Sequence, residues 1–148
     1  MKIALGSDHG GYSLKQSLIP FLQERDIQVA DAGTNSEDSV DYPDFAERVA
    51  LLVSHNEAEA GILICGTGIG ISIAANKVPG IRAALVTDEF MARMAKEHNN
   101  ANILVLGGRV LDEQKARVLV GAWLDASFEG GRHQGRLDKI TEIENKYR

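Results

Sequence analysis

Apolar residues fall into five short runs along the chain: residues 2–6, 27–30, 61–65, 82–86 and 103–106. Runs of this length read as strands buried on both faces. Between them the apolar spacing switches to the helical period. Leu14, Leu18, Phe21 and Leu22 share one face of a segment from Tyr12 to Arg25. Pro20 lies inside that segment and predicts a kink or a fresh start, because it lacks an N–H and clashes with the preceding turn. Asp31 to Asp44 reads as a polar loop, and Phe45, Val49, Leu52 and Val53 mark a second helix. Residues 71–77 form a third. A fourth is N-capped by Thr87 or Asp88 and ends near Lys96 or Glu97. A fifth runs from Asp112 to Leu124 with Val118, Leu119 and Trp123 inward. A last one carries Leu137, Ile140 and Ile143 on one face, either packed on the same core or reaching a second subunit. Strands alternating with helices predict an α/β protein with a parallel sheet. The expected architecture is a Rossmann-like three-layer fold, five parallel strands and an extra C-terminal helix, in a single domain over 1–148.

Ligands of such a sheet bind beyond the carboxyl ends of its strands. That rule gathers Ser7, Asp8 and His9, then Cys65 to Gly70, then Thr87 and Asp88, then Gly107 to Arg109 on one rim. The stretch Cys65-Gly66-Thr67-Gly68-Ile69-Gly70 carries the most chemistry. Strand, glycine turn and helix present a row of backbone N–H groups to an anion. The only cysteine of the chain sits at its start. One reading is a buried inert thiol; the other is a thiolate, favoured by the helix terminus, serving as nucleophile or carbon base. The glycines miss the dinucleotide spacing G-x-G-x-x-G, because the third arrives one residue early.

Composition narrows the classes. A chain of 148 residues with 44% hydrophobic and 25% charged residues is typical of a globular protein. A net charge of −5 argues against general nucleic-acid or membrane-surface binding. One cysteine forms no internal disulfide, and no window reaches the roughly 18 apolar residues of a membrane span. The N-terminus lacks a signal-peptide layout, so a cytoplasmic protein is expected. The four histidines, at 9, 55, 98 and 133, form no H-x-x-x-H pair, and no metal or cofactor is expected. His98 ends a predicted helix with Asn99 as its cap, and Asp8 and His9 suit a turn. Arg132 and Arg136 lie one helical turn apart after Gly130-Gly131, either as a solvated face or as a joint grip on a phosphate.

Taken together, several stretches resemble one family. They are Gly6-Ser7-Asp8-His9-Gly10-Gly11, Asp41-Tyr42-Pro43, Ile64-Cys65-Gly66-Thr67-Gly68-Ile69-Gly70, Ala74-Ala75-Asn76-Lys77, Gly80-Ile81-Arg82-Ala83, His98-Asn99, Gly107-Gly108-Arg109 and Glu129-Gly130-Gly131-Arg132-His133-Gln134-x-Arg136. In this order they are similar to the family of ribose-5-phosphate isomerase B and the bacterial galactose-6-phosphate isomerase subunits. The resemblance implies metal-free interconversion of D-ribose 5-phosphate and D-ribulose 5-phosphate in the pentose phosphate pathway. It implies Cys65 as the base between C1 and C2, Thr67 in support, and His98 as the group that opens the sugar ring. Some relatives carry a glutamate where this chain has Ile71 and lack the cysteine; this chain follows the cysteine branch. The resemblance further implies substrate contacts from Asp8, His9, Tyr42, Gly66, Gly68, Ile69, Gly70, Asn99, Arg109, Arg132 and Arg136. It also implies a homodimer whose sites borrow residues from both subunits, sometimes paired into a tetramer. Two other readings remain at this point: an isomerase of a six-carbon sugar phosphate such as allose or galactose 6-phosphate, and a non-catalytic phosphate- or nucleotide-binding module.

Overall fold

The structure is a computed structural model and describes residues 1–148. The five apolar runs form β1 (Lys2–Ser7), β2 (Gln28–Asp31), β3 (Ala60–Cys65), β4 (Ala83–Leu85) and β5 (Ile103–Gly107). They pair in parallel in the order β2-β1-β3-β5-β4. The helices are α1 (Tyr12–Glu24), α2 (Tyr42–Ser54), α3 (Ile69–Ala75), α4 (Glu89–Glu97), α5 (Glu113–Asp125) and α6 (Arg132–Lys146).

Alternate strand residues point to opposite faces, and two cores result. Ile3, Leu5, Ile62, Ile64, Leu104 and Leu106 meet α1, α4 and α5 through Leu18, Ala95 and Trp123. Ala4, Leu63, Cys65, Ile103 and Val105 meet α2 and α3 through Val49 and Ile71. Helix, sheet, helix is the three-layer architecture expected, with α6 as the extra element. No helix is long and apolar enough to cross a membrane.

Four local expectations need correction. α1 runs unbroken through Pro20. Pro20 lies on the exposed face, where water can serve the carbonyl left without its usual donor. α2 begins at Tyr42 rather than Phe45, so the loop ends earlier. Pro43 stands in its first turn, where no N–H is needed. Val118 on α5 is exposed, and Ala116, Leu119, Val120 and Trp123 form the inward face instead. Of the three apolar residues expected inward on α6 only Leu137 is buried, while Ile140 and Ile143 face out. The helical register put all three on one stripe; the stripe is simply wider than the surface available to cover it. Lys15 on α1 is also fully buried, its Nζ donating to both carboxylate oxygens of Asp31 at 2.7 and 2.8 Å. A buried ammonium needs such a partner.

Candidate active site

Strand order determines where a site can form. The chain leaves β1 toward β2, then crosses back over β1 to β3. The crevice between the carboxyl ends of β1 and β3 is therefore the topological switch point, where open parallel sheets bind ligands. Asp8 to Gly10 follow β1 there and Cys65 to Gly70 follow β3. The turns are knitted by backbone bonds. Asp8 N–H donates to Ile64 O at 3.2 Å, Gly108 N–H to Cys65 O at 2.8 Å, and Arg109 N–H to Gly66 O at 2.9 Å. Asp8 is buried, and its carboxylate accepts the Gly11 N–H at 3.1 Å, closing the first turn. His9 Nδ1 accepts the Val40 N–H at 3.2 Å, which ties the segment before Tyr42 to the site. Nε2 must then carry the ring proton and is free to donate.

The thiol sits inside the glycine turn. Cys65 is 5% exposed, and its Sγ accepts the Gly68 N–H at 3.2 Å. The Gly68 N–H thus fixes the direction of the Cys65 sulfur within the turn. Gly68 adopts φ +83°, a left-handed conformation that costs side-chain-bearing residues energy. A Cβ there would also stand 2.5 Å from Leu85 Cδ1 and 3.1 Å from the Leu106 backbone. Thr67 is exposed; its Oγ1 accepts the Ile69 N–H at 3.2 Å, leaving the hydroxyl hydrogen available. The N–H groups of Gly66, Thr67 and Gly70 bond to nothing else in the chain and are the free donors of the turn. Tyr42 leans on Gly70, where a Cβ would come within 2.6 Å of its ring. Arg109 lies over Gly66, with Nη1 3.2 Å from the position a Cβ would take. Asp8, His9, Tyr42, Cys65 to Gly70 and Arg109 thus form one constellation. Thr87 and Asp88 do not join it. β5 intervenes between β4 and β3, and the Asp88 carboxylate caps α4 by accepting the Met91 N–H at 2.8 Å.

The remaining predicted residues lie elsewhere. α4 starts beyond the carboxyl end of β4 and returns to the amino edge of the sheet. His98 and Asn99 follow it there, just before β5, whereas Cys65 pairs with Gly107 at the far end of β5. The strand between Ile103 and Gly107 alone spans roughly 13 Å. His98 itself is the C-cap of α4, and the left-handed residue that closes the helix is Asn100, φ +44°, not Asn99. Arg82 holds this turn, donating to the carbonyls of Asn99 (3.2 Å) and Asn100 (2.9 and 3.1 Å). Burial pushes its guanidinium below the ordinary value, with Glu144 opposing.

α6 brings its own groups to the same place. Gly131 at φ +56° starts the helix, so Arg132 and Arg136 project one turn apart, as expected. His133 between them is buried and stacks on His98, ring centroids 4.1 Å apart and planes 14° from parallel. Glu129 Oε1 lies 3.4 Å from His98 Nε2 and 3.5 Å from His133 Nε2. Desolvation first, then His98 and Arg132, hold the His133 imidazole below its ordinary pKa; Glu129 pulls the other way. The sequence reading passed over Glu129, His133 and Arg82 as individuals. The signal was their place in the quoted stretches, but partnership through space has no spacing in the sequence.

Comparison with known proteins agrees along the whole chain. Residues 3–140 match the family described as Ribose/Galactose Isomerase. The chain is 49% identical over 145 residues to ribose-5-phosphate isomerase B of Escherichia coli, covering 98% of this chain and 97% of that one. It superposes on the Clostridium thermocellum ribose-5-phosphate isomerase B with a TM-score of 0.99 at 58% identity, covering all of both chains. The Mycoplasma genitalium ribose-5-phosphate isomerase B, solved with bound ribulose-5-phosphate, gives a TM-score of 0.94 at 45% identity over 98% of this chain and 97% of that one.

Proposed function

The chain belongs to the Ribose/Galactose Isomerase family, and on that premise we propose how its residues interconvert D-ribose 5-phosphate and D-ribulose 5-phosphate. The observation that carries the reading is the Cys65 thiol seated among the N–H groups of its own glycine turn at the sheet's switch point. Aldose–ketose isomerisation removes a proton beside a carbonyl and passes through an enediolate. It needs a base over the carbon and preorganised donors at the developing oxyanion. Cys65 takes the proton from C2 of the open-chain aldose. Negative charge moves to O1, where the free N–H groups of Gly66, Thr67 and Gly70 stabilise it. The Thr67 hydroxyl passes a proton from O2 to O1, and Cys65 returns the carbon proton to C1. The products are the ketose and the regenerated thiolate.

The sugar is mostly cyclic in water, so ring opening comes first. His98 serves it as acid and base. Asn99 binds the sugar hydroxyls, and Arg132 and Arg136 grip the phosphate with Arg109 and His9 at its border. Remote phosphate binding then positions the reacting carbon. Tyr42 packs the pocket wall against Gly70.

These groups reach one sugar only if two copies of the chain combine. Within one chain His98 and Cys65 occupy opposite edges of the sheet. The surface suits a second copy. Ile69 and Ile73 of α3 are 54% and 57% exposed beside the glycine turn, and Ile140 and Ile143 of α6 face out as well. Between them a groove of about 240 Å³ runs past Ile81, Ala83, Leu137 and Ile140. The open edge of β4 is sealed by Asn76, whose amide bonds both the N–H and the C=O of Ala83 at 2.9 Å, so the partner meets side chains there rather than a bare strand. The dimer is a two-fold homodimer with each site shared.

The test mixes two defective proteins. Cys65→Ala and His98→Ala are each inactive on ribose 5-phosphate. After subunit exchange, half the dimers are mixed and each holds one intact site, so about a quarter of wild-type turnover returns in a two-fold dimer. No recovery despite exchange places both residues in the same chain's site. No turnover of ribose 5-phosphate by the wild-type chain overturns the reading altogether.

A further inference from the structure

His98 has little of its own to hold it. It is the C-cap of α4, and 38% of its side chain is exposed. A side chain so placed samples several rotamers, and a misplacement of about 1 Å in a catalytic group can cost roughly 100-fold in rate. Two neighbours come from the segment that opens α6. His133 covers one face of the His98 ring, with centroids 4.1 Å apart and planes 14° from parallel. Glu129 stands at the edge, Oε1 3.4 Å from His98 Nε2 and 3.5 Å from His133 Nε2. Those separations exceed the roughly 2.7–3.2 Å of a sound N–H···O bond, so the carboxylate attracts the rings by charge without fixing their tilt. The stack is what remains to fix it. His133 is buried, and its N–H donates to Gly130 O at 3.1 Å. The Glu129 N–H donates to Glu97 O at 3.0 Å and pins the preceding loop to the end of α4. The plate under His98 is thus anchored by main-chain bonds to the helix that carries His98. Desolvation first, then the charges of His98 and Arg132, keep His133 from competing for a proton. A neutral ring face also attracts a cation above it, so it suits an imidazole that becomes imidazolium.

We propose that His133 is a positioning residue for His98, its buried ring fixing the plane of the His98 imidazole for ring opening. This role rests on the ring-opening reading of His98 above. Ring opening breaks the C1–O4 bond of the sugar, gives O4 a proton and takes one from the C1 hydroxyl. One imidazole that serves two oxygens must hold its plane while the proton moves. His133 acts through His98 and not on the sugar, because its own ring is closed off from solvent.

Turnover of ribose 5-phosphate and inhibition by inorganic phosphate are measured on wild type, His133→Leu and His133→Phe. Leucine fills the space without a flat face, and phenylalanine keeps one. His133→Leu lowers turnover by at least about tenfold, part of the roughly 10²–10⁴-fold that a placed acid–base group supplies. Phosphate inhibition is unchanged, because Arg132 and Arg136 stay in place. His133→Phe keeps most of the turnover. Equal turnover in His133→Leu and wild type overturns the role, and so does an equal loss in both variants. Loss of phosphate inhibition along with turnover overturns it too, since the start of α6 has then collapsed as a whole. Subunit mixing adds a readout that a folding defect does not give. His133→Leu mixed with Cys65→Ala recovers toward about a quarter of wild-type turnover, as His98→Ala does in the same mixture. His133→Leu mixed with His98→Ala gains nothing, because both damage the same half of the site. A gain in that second mixture overturns the role. So does no recovery with Cys65→Ala while the His98→Ala control recovers. Where that control also fails, the shared-site reading falls and the two turnover arms still decide the stack. Full activity of His98→Ala removes the ring-opening reading and the role of His133 with it.

Discussion

The two edges of the sheet solve different problems with different materials. At the carboxyl edge the working parts are mostly backbone. The donors of Gly66 to Gly70 are fixed by the β3–β5 ladder, which continues through Cys65 and Gly66 into the Gly108-Arg109 turn. At the amino edge the working parts are side chains. His98, Glu129, His133, Arg132 and Arg136 hang from helix ends and a Gly130-Gly131 bend, and they meet through stacking and charge. A backbone cradle is rigid and suits a charge that develops at one place. A side-chain cluster is adjustable and suits a cyclic sugar and a phosphate that must be gripped and released. The proposed chemistry draws on both, and the fold of one chain keeps them apart.

The contrast breaks first at the proposed base. Cys65→Ala is expected to lower turnover of ribose 5-phosphate by at least about 100-fold, the lower end for a lost acid–base group, with the fold unchanged by circular dichroism. Equal activity would leave the carboxyl edge as a passive cradle. Arg132→Ala tests the other edge. Loss of one charge-assisted contact to phosphate is expected to raise KM about tenfold with kcat nearly kept. An unchanged KM would return Arg132 to the solvated surface. Gly70→Ala probes how strictly the cradle is built. Its Cβ would fall within 2.6 Å of the Tyr42 ring, so Tyr42 must move and kcat/KM is expected to fall several-fold; an additional Tyr42→Ala change should relieve the clash and not add a full second loss.

The smallest expected effect is on stability against pH. The His133 pKa lies below 6.5 in the folded chain, so the unfolded chain binds the proton more readily. Stability is then full above the unfolded value. It declines as pH falls through about 6.5 and levels off below the folded value. Thermal melts between neutral and mildly acid pH should show this slope, and His133→Gln should flatten it. A slope unchanged in the variant would assign it to other groups.

Much of this was legible along the chain. The five strands and six helices follow from apolar runs and helical spacing, because burial against a two-sided sheet imposes period and length locally. The glycine turn and its cysteine are contiguous, so their chemistry could be read from neighbours in sequence. The boundary that moved, at Tyr42, and the break that Pro20 does not make depend on solvent exposure of single turns. The inward assignment of Val118 failed because periodicity defines a stripe but not the part of it that another element covers.

What the sequence by itself determined is an α/β chain whose strand ends carry an anion-binding turn and a thiol, with a family resemblance strong enough to name the reaction. What only the tertiary structure decided is which strand ends are neighbours and which edge each residue occupies. Strand order put β1 beside β3 and so brought Asp8 and His9 to Cys65. The same order, with α4 and α6 running to the opposite edge, separated His98 and the arginines from it and gathered them around Glu129 and His133. Local propensity acts over a few residues, but the direction of a crossover and the meeting of helix ends are set by packing across the whole sheet, so no spacing along the chain could encode them.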